Sequence, residues 1–257
     1  VGDDVGGFVG YPMVEEAEAT GGVAAVYADL LESMPFVPSL FKSLALCPGY
    51  LVLAHEQAAG VLSHPSFAGA AQQLVSSVRD AARPPADAEV RGTLAEFAGP
   101  LSRMLLLAAG LQIALGGELD APPAAGQAPE PRPVQPRDPA PSPQDVPAPR
   151  LYGRIRAELE TPIVNSIWRS LAGRGLLEAA WNHLGPQVPV TRPAADDLQR
   201  RASEAARLLP WHVAAGPAAL EQAGLGDARP GMAAVLGAYS TTLPRVLVLV
   251  ASSTELR

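Results

Sequence analysis

The chain holds a single cysteine, Cys47, and a single lysine, Lys42, in 257 residues. One thiol can close no intramolecular disulfide and can form no C-x-x-C redox pair, which suits a reducing, cytoplasmic setting. The remaining eighteen basic residues are arginines scattered without a run, and the net charge is −7 with a pI of 5.1. Phosphate recognition needs clustered positive charge, so a nucleic-acid partner is excluded. The longest apolar run, Met104 to Gly117 with Gln112 inside it, falls short of the roughly 20 residues of a membrane span. It reads as a buried helix, and no membrane partner is expected. The opening stretch VGDDVGGFVGYPM has neither the basic segment nor the apolar core of a signal peptide. His55, His64, His183 and His212 have no metal-ligand spacing, and G-x-S-x-G, phosphate-loop and dinucleotide fingerprints are missing. No metal and no cofactor is expected.

What the chain does have is a phrase written twice. MPFVPSLFKSLA at 34–45 returns 127 residues later as TPIVNSIWRSLA at 161–172, with six positions identical and four more exchanged like for like. A second block, LSRMLLL at 101–107, returns as LPRVLVL at 243–249 with four of seven positions identical. The blocks keep their order but lie 67 residues apart in the first half and 82 in the second, which points to an insertion around Pro210 to Gln222. Between the halves, residues 121–150 hold eleven of the 27 prolines, a composition that runs extended and serves as a linker. The organisation expected is a first helical repeat at 1–120, a proline-rich linker at 121–150, and a second helical repeat at 151–257.

The spacing predicts helices throughout. Val23, Val26, Tyr27, Leu30 and Leu31 recur at steps of three and four, as do Leu151, Ile155 and Leu159, the pattern of one buried face. Inside the phrase, Pro38 suits a helix start, and its mate Asn165 offers a side-chain oxygen to cap free N–H groups. Pro48-Gly49 and Gly173-Arg174-Gly175 then end those helices. Further helices are predicted at Tyr50 to Leu62, Ala71 to Ala82, Asp87 to Gly99, Leu101 to Leu115, Leu176 to Leu184, Ala194 to Leu209, Gly231 to Tyr239 and Leu243 to Ser252, the fourth stopping at Gly116-Gly117. The fold class is all-α, two tandem homologous repeats closing as a pseudo-dimer with a pocket at their interface.

Mates that differ between the halves mark where chemistry can reside: Pro38 with Asn165, His55 with Asn182, Glu56 with His183, and Phe97-Ala98 with Tyr239-Ser240. Asn165 is either a helix cap or a polar group of the pocket. Trp168, the mate of Phe41, is either core packing or a pocket wall, and Tyr239 either packs or presents its hydroxyl. Arg103 and Arg245 are mates that suit a salt bridge or a ligand carboxylate. His55 and Glu56 point about 100° apart on a helix and cannot act on one atom together.

The run MPFVPSLFKSLALCPGYLVLA, with Phe36, Leu44, Ala45 and Pro48 to Leu51, resembles the group I D,L-2-haloacid dehalogenases. VRGTLAEFAGPLSRMLLL at 90–107 is similar to a helix pair of that family, and VLGAYSTTLPRVLVL at 235–249 to its C-terminal helices. The resemblance implies an active site between the repeats, where an Asp activates water for direct attack on the halogen-bearing carbon of a short 2-halocarboxylate and an Asn helps hold that water. Here the matching positions are Ile167 and Leu101. More broadly the first phrase resembles the helical superfamily of alkylhydroperoxidase D and carboxymuconolactone decarboxylase, whose redox members need a cysteine pair that Cys47 alone cannot form. The candidate ligand-binding residues are Phe36, Leu101, Asn165, Ile167, Trp168 and Tyr239. The partner expected is a small organic acid or apolar ligand between the repeats, and a homodimer is compatible with the sequence. Two functions follow: a hydrolase of the dehalogenase type, or a non-catalytic small-ligand-binding or scaffold protein of the same fold.

Overall fold

The computed structural model describes residues 12–34, 36–119 and 149–254, and among them the chain is all-α. Its helices are α1 Gly21–Ser33, α2 Ser39–Leu44, α3 Pro48–Leu62, α4 Pro65–Ser77, α5 Ala88–Gly116, α6 Pro149–Leu159, α7 Ser166–Gly173, α8 Leu177–Leu184, α9 Val188–Arg207, α10 Pro217–Gln222 and α11 Arg229–Val250. Most of the proline-rich segment lies outside the described residues. Its last two residues, Pro149 and Arg150, belong to α6 instead, because proline is well tolerated in a first helical turn.

The two long helices form the centre. Leu105, Leu106 and Leu107 of α5 and their mates Leu247, Val248 and Leu249 of α11 are each at most 1% exposed, so both helices are covered on every side along these turns. Each such side chain contributes about 1.5–3 kcal/mol by leaving water. α5 and α11 pack on each other and both pack on α9. Among the described residues these are also the two helices apolar and long enough to cross a membrane, and 78% and 67% of their most apolar stretches are buried inside the fold.

Local chemistry sets the helix ends. Asp87 caps α5 by accepting from the N–H groups of Glu89 and Val90 at 2.8 and 3.0 Å. Gly117, at φ 81°, closes it in the left-handed conformation that glycine adopts without strain. Two expected breaks are absent: the helix pair at 87–115 is one helix running through Pro100, and the pair at 231–252 is one helix running through Pro244. A proline removes one backbone bond, and here the burial of the flanking apolar residues outweighs it. Beside Pro100 the Ser102 hydroxyl donates to the Gly99 carbonyl at 2.9 Å. The extra residues of the second half form a crossing segment and α10 between α9 and α11. There Trp211 is buried and donates from Nε1 to the Ala206 carbonyl at 2.7 Å.

Candidate functional site

The repeated phrases meet. Ser39 and Ser166, identical residues at the same place in the two copies, are joined Oγ to Oγ at 2.8 Å. Around this contact a partly open cavity of about 50 Å³ is lined by the starts of α2 and α7, the middle of α5 and the middle of α11. Mates line it in pairs: Pro38 and Asn165, Leu40 and Ile167, Phe97 and Tyr239, Leu101 and Leu243.

Of the residues singled out from the sequence, Phe36, Leu101, Asn165, Ile167 and Tyr239 line this cavity. Trp168 does not. It is wholly buried and packs edge-to-face on Trp181, with ring centres 5.2 Å apart. The reason is helical direction: Ile167 and Trp168 point about 100° apart, so when the first faces the cavity the second turns into the core.

The wall is apolar apart from a few groups. Phe36 stacks on Phe97 at 5.4 Å, and Met34, Met104 and Leu243 complete the surface. Tyr239 is 1% exposed, and its hydroxyl is bonded to Ser43 Oγ at 2.9 Å. Asn165 occupies the N-cap position of α7 yet makes no side-chain capping bond. The expected cap is therefore missing: the residue is 3% exposed, and its Oδ1 has no hydrogen-bond partner. Among the described residues, no Asp, Glu, His, Lys or Arg is on the lining.

The charged groups nearest in the chain are engaged elsewhere. Lys42 and Arg169, mates on α2 and α7, both reach Glu15, at 2.8 and 2.7 Å, and Lys42 also lies 3.1 Å from Glu16. Burial alone would raise the Glu15 carboxyl, but its bonds to Lys42 and Arg169 and their charges hold it below the ordinary carboxylate range. One side chain from the N-terminal segment thus fastens the same position of both copies. Neither this clasp nor the serine pair is apparent from the sequence pattern alone; in each case the signal is the 127-residue offset that relates the partners.

The other candidates lie away from the cavity. Arg103 donates to the Leu62 carbonyl at 3.2 Å and stacks over Phe67. Arg245 donates to the Leu159 carbonyl at 2.5 Å. Both neutralise the negative ends of neighbouring helices. His55 is buried with Nε2 2.8 Å from Asp29 Oδ2, and burial lowers its pKa against the opposing pull of that carboxylate. Glu56 does not join this pair. Cys47 is half-buried and free, and no cluster able to hold a metal occurs among the described residues.

Comparison with known structures gives the fold an independent standing. The chain is similar to a D-2-haloacid dehalogenase mutant, at a TM-score of 0.77 and 21% identity over 93% of both chains. It is similar at the same TM-score to a D-2-haloacid dehalogenase mutant in complex with D-2-CPA, at 20% identity over 94% of each chain. A D-2-haloacid dehalogenase complex with L-LA matches at 18% identity over 94% of each chain, again with a TM-score of 0.77. No family model and no curated protein sequence matches. The fold is that of these D-2-haloacid dehalogenase structures, carried by a sequence about one-fifth identical to theirs.

Proposed function

We propose that this chain is a small-ligand-binding protein built on the haloacid dehalogenase fold, with its two halves related as a pseudo-dimer and the ligand held in the cavity between them. One observation carries the reading: among the described residues, the cavity wall contains no side chain able to take a proton from water near neutral pH. Direct attack by water on a carbon–halogen bond needs such a base within reach. Ile167 and Leu101 stand on the wall where the resemblance expects the Asp and the Asn. An amide such as Asn165 has no basic form in this pH range and does not replace them.

The cavity volume suits a ligand of a few heavy atoms, since about 150 Å³ of apolar space holds one benzene ring. Apolar contacts with Phe36, Phe97, Met104 and Leu243 supply most of the affinity, and the few polar atoms orient the ligand. Hydrolysis of a short 2-halocarboxylate is the second reading, favoured by the likeness to D-2-haloacid dehalogenase structures across nearly the whole chain.

Halide release from D- and L-2-chloropropionate by the purified full chain separates the two. The expected result is no release above the buffer rate for either enantiomer. Release proportional to protein concentration overturns the binding reading in favour of hydrolysis.

A further inference from the structure

The polar atoms of the cavity define the head group of a ligand. Asn165 lines the cavity, and its Oδ1 is an acceptor buried without a partner; an acceptor left unmet forfeits its hydration with nothing in return. Next to it in the chain is Ser166, paired with Ser39. Two hydroxyls carry two hydrogens and their mutual bond uses one, so the other is available to donate. The site therefore offers an acceptor and a donor side by side in an otherwise apolar wall.

It offers no counter-charge. Lys42 and Arg169, one turn along α2 and α7, are bonded to Glu15, and among the described residues no cation lines the cavity. The N-terminus of α7 brings about half a positive charge, which serves a carbonyl oxygen but falls short of a counterion. A carboxylate has acceptors only, and it would meet the Asn165 Oδ1 lone pairs while losing its own hydration.

We propose that the cavity recognises a short neutral ligand bearing a donor and an acceptor on one carbon, a primary carboxamide or an un-ionised carboxyl, with Asn165 Oδ1 accepting from it and the serine pair donating to it. This inference rests on the reading of the cavity as a ligand site, and it names the ligand class. Asn165 is then the residue that determines specificity, and the site discriminates against the ionised acids that the resemblance would lead one to try.

The test compares three probes on the full chain: xenon, propionamide and propionate. Each is titrated at neutral pH and followed through the methyl NMR signals of Leu101, Ile167 and Leu243. Xenon should shift these signals, and propionamide should bind about tenfold or more tighter than propionate, the scale of one well-placed hydrogen bond in a buried site. Asn165→Leu should abolish the preference for propionamide and leave the xenon response in place. Xenon entry with propionate bound as well as propionamide, or better, overturns the inference and leaves the ligand-site reading standing. If none of the three probes moves the methyl signals, the ligand-site reading falls and this inference with it. The wild-type comparison needs no variant, so a poorly folded Asn165→Leu protein does not spoil the test.

Discussion

Ile167 and Leu101 sit on the cavity wall at 0% and 6% exposure, with Asn165 and the serine pair beside them. If the missing base is what separates this chain from a hydrolase, restoring it should restore turnover. The variant Ile167→Asp with Leu101→Asn is expected to release halide from 2-chloropropionamide, the neutral analogue that the cavity accepts, measured against the wild type under the same conditions. The change has a stability cost, because a carboxyl placed in an apolar wall without a cation is pushed toward its neutral form. The double variant should lose about 2–4 kcal/mol in denaturant unfolding. Stability lost with no halide released would mean that the cavity shape, as well as its chemistry, has moved away from hydrolysis. At this scale the sequence was legible where residue type and helical direction agreed: Phe36, Leu101, Asn165, Ile167 and Tyr239 share one cavity. Trp168 went astray because a repeat position gives a place in the chain and leaves the direction of the side chain open.

Among the elements, α5 shows how closely the insertion of the second half is fitted to the core. A Cβ on Gly110 would stand 2.1 Å from the ring of Trp211, and that ring is pinned by its bond to the Ala206 carbonyl. Gly110→Ala is therefore expected to lower the melting temperature. The gain in helix propensity of about 1 kcal/mol is smaller than the displacement of an anchored indole, and the net loss is about 1–3 kcal/mol. Gly92→Ala on the same helix, where a Cβ meets nothing within 4 Å, should raise the melting temperature slightly. Helix periodicity made most elements readable, since buried faces repeat at 3.6 residues whatever the residues that fill them. The prolines misled because Pro100 and Pro244 lie within the two most apolar stretches, where packing overrides the local signal. The Glu15 clasp was hidden for the opposite reason: residues 12–20 have no period, and their partners are distant in the chain.

Across the whole molecule, one core spans both halves. Leu44, Phe67, Leu107, Trp168, Leu198 and Leu249 belong to the same buried cluster, and the contacts between α5 and α11 cross from one half to the other. The ion pairs across the halves, among the described residues, are of two kinds. Glu96 with Arg174 and Glu118 with Arg207 are exposed pairs and contribute little. Glu15 with Arg169 differs, because the arginine is 5% exposed and loses a counter-charge inside the fold when the bond to the part-exposed Glu15 breaks. A protease site inserted within 121–148 tests this account. After cleavage the two fragments should elute together in size-exclusion chromatography at neutral pH, held by the shared core. The sign of the pH dependence follows from Glu15, whose pKa is lowered in the folded protein from an ordinary value of 4.5. The unfolded chain then binds the proton more tightly, so the stabilisation is present above that value and is lost as pH falls through the lowered one. Acidification should therefore weaken the cleaved complex below about pH 4.5. Glu15→Gln should weaken it already at neutral pH and flatten its acid dependence. Fragments that separate at neutral pH with Glu15 intact would show that the linker, and not the common core, keeps the halves together.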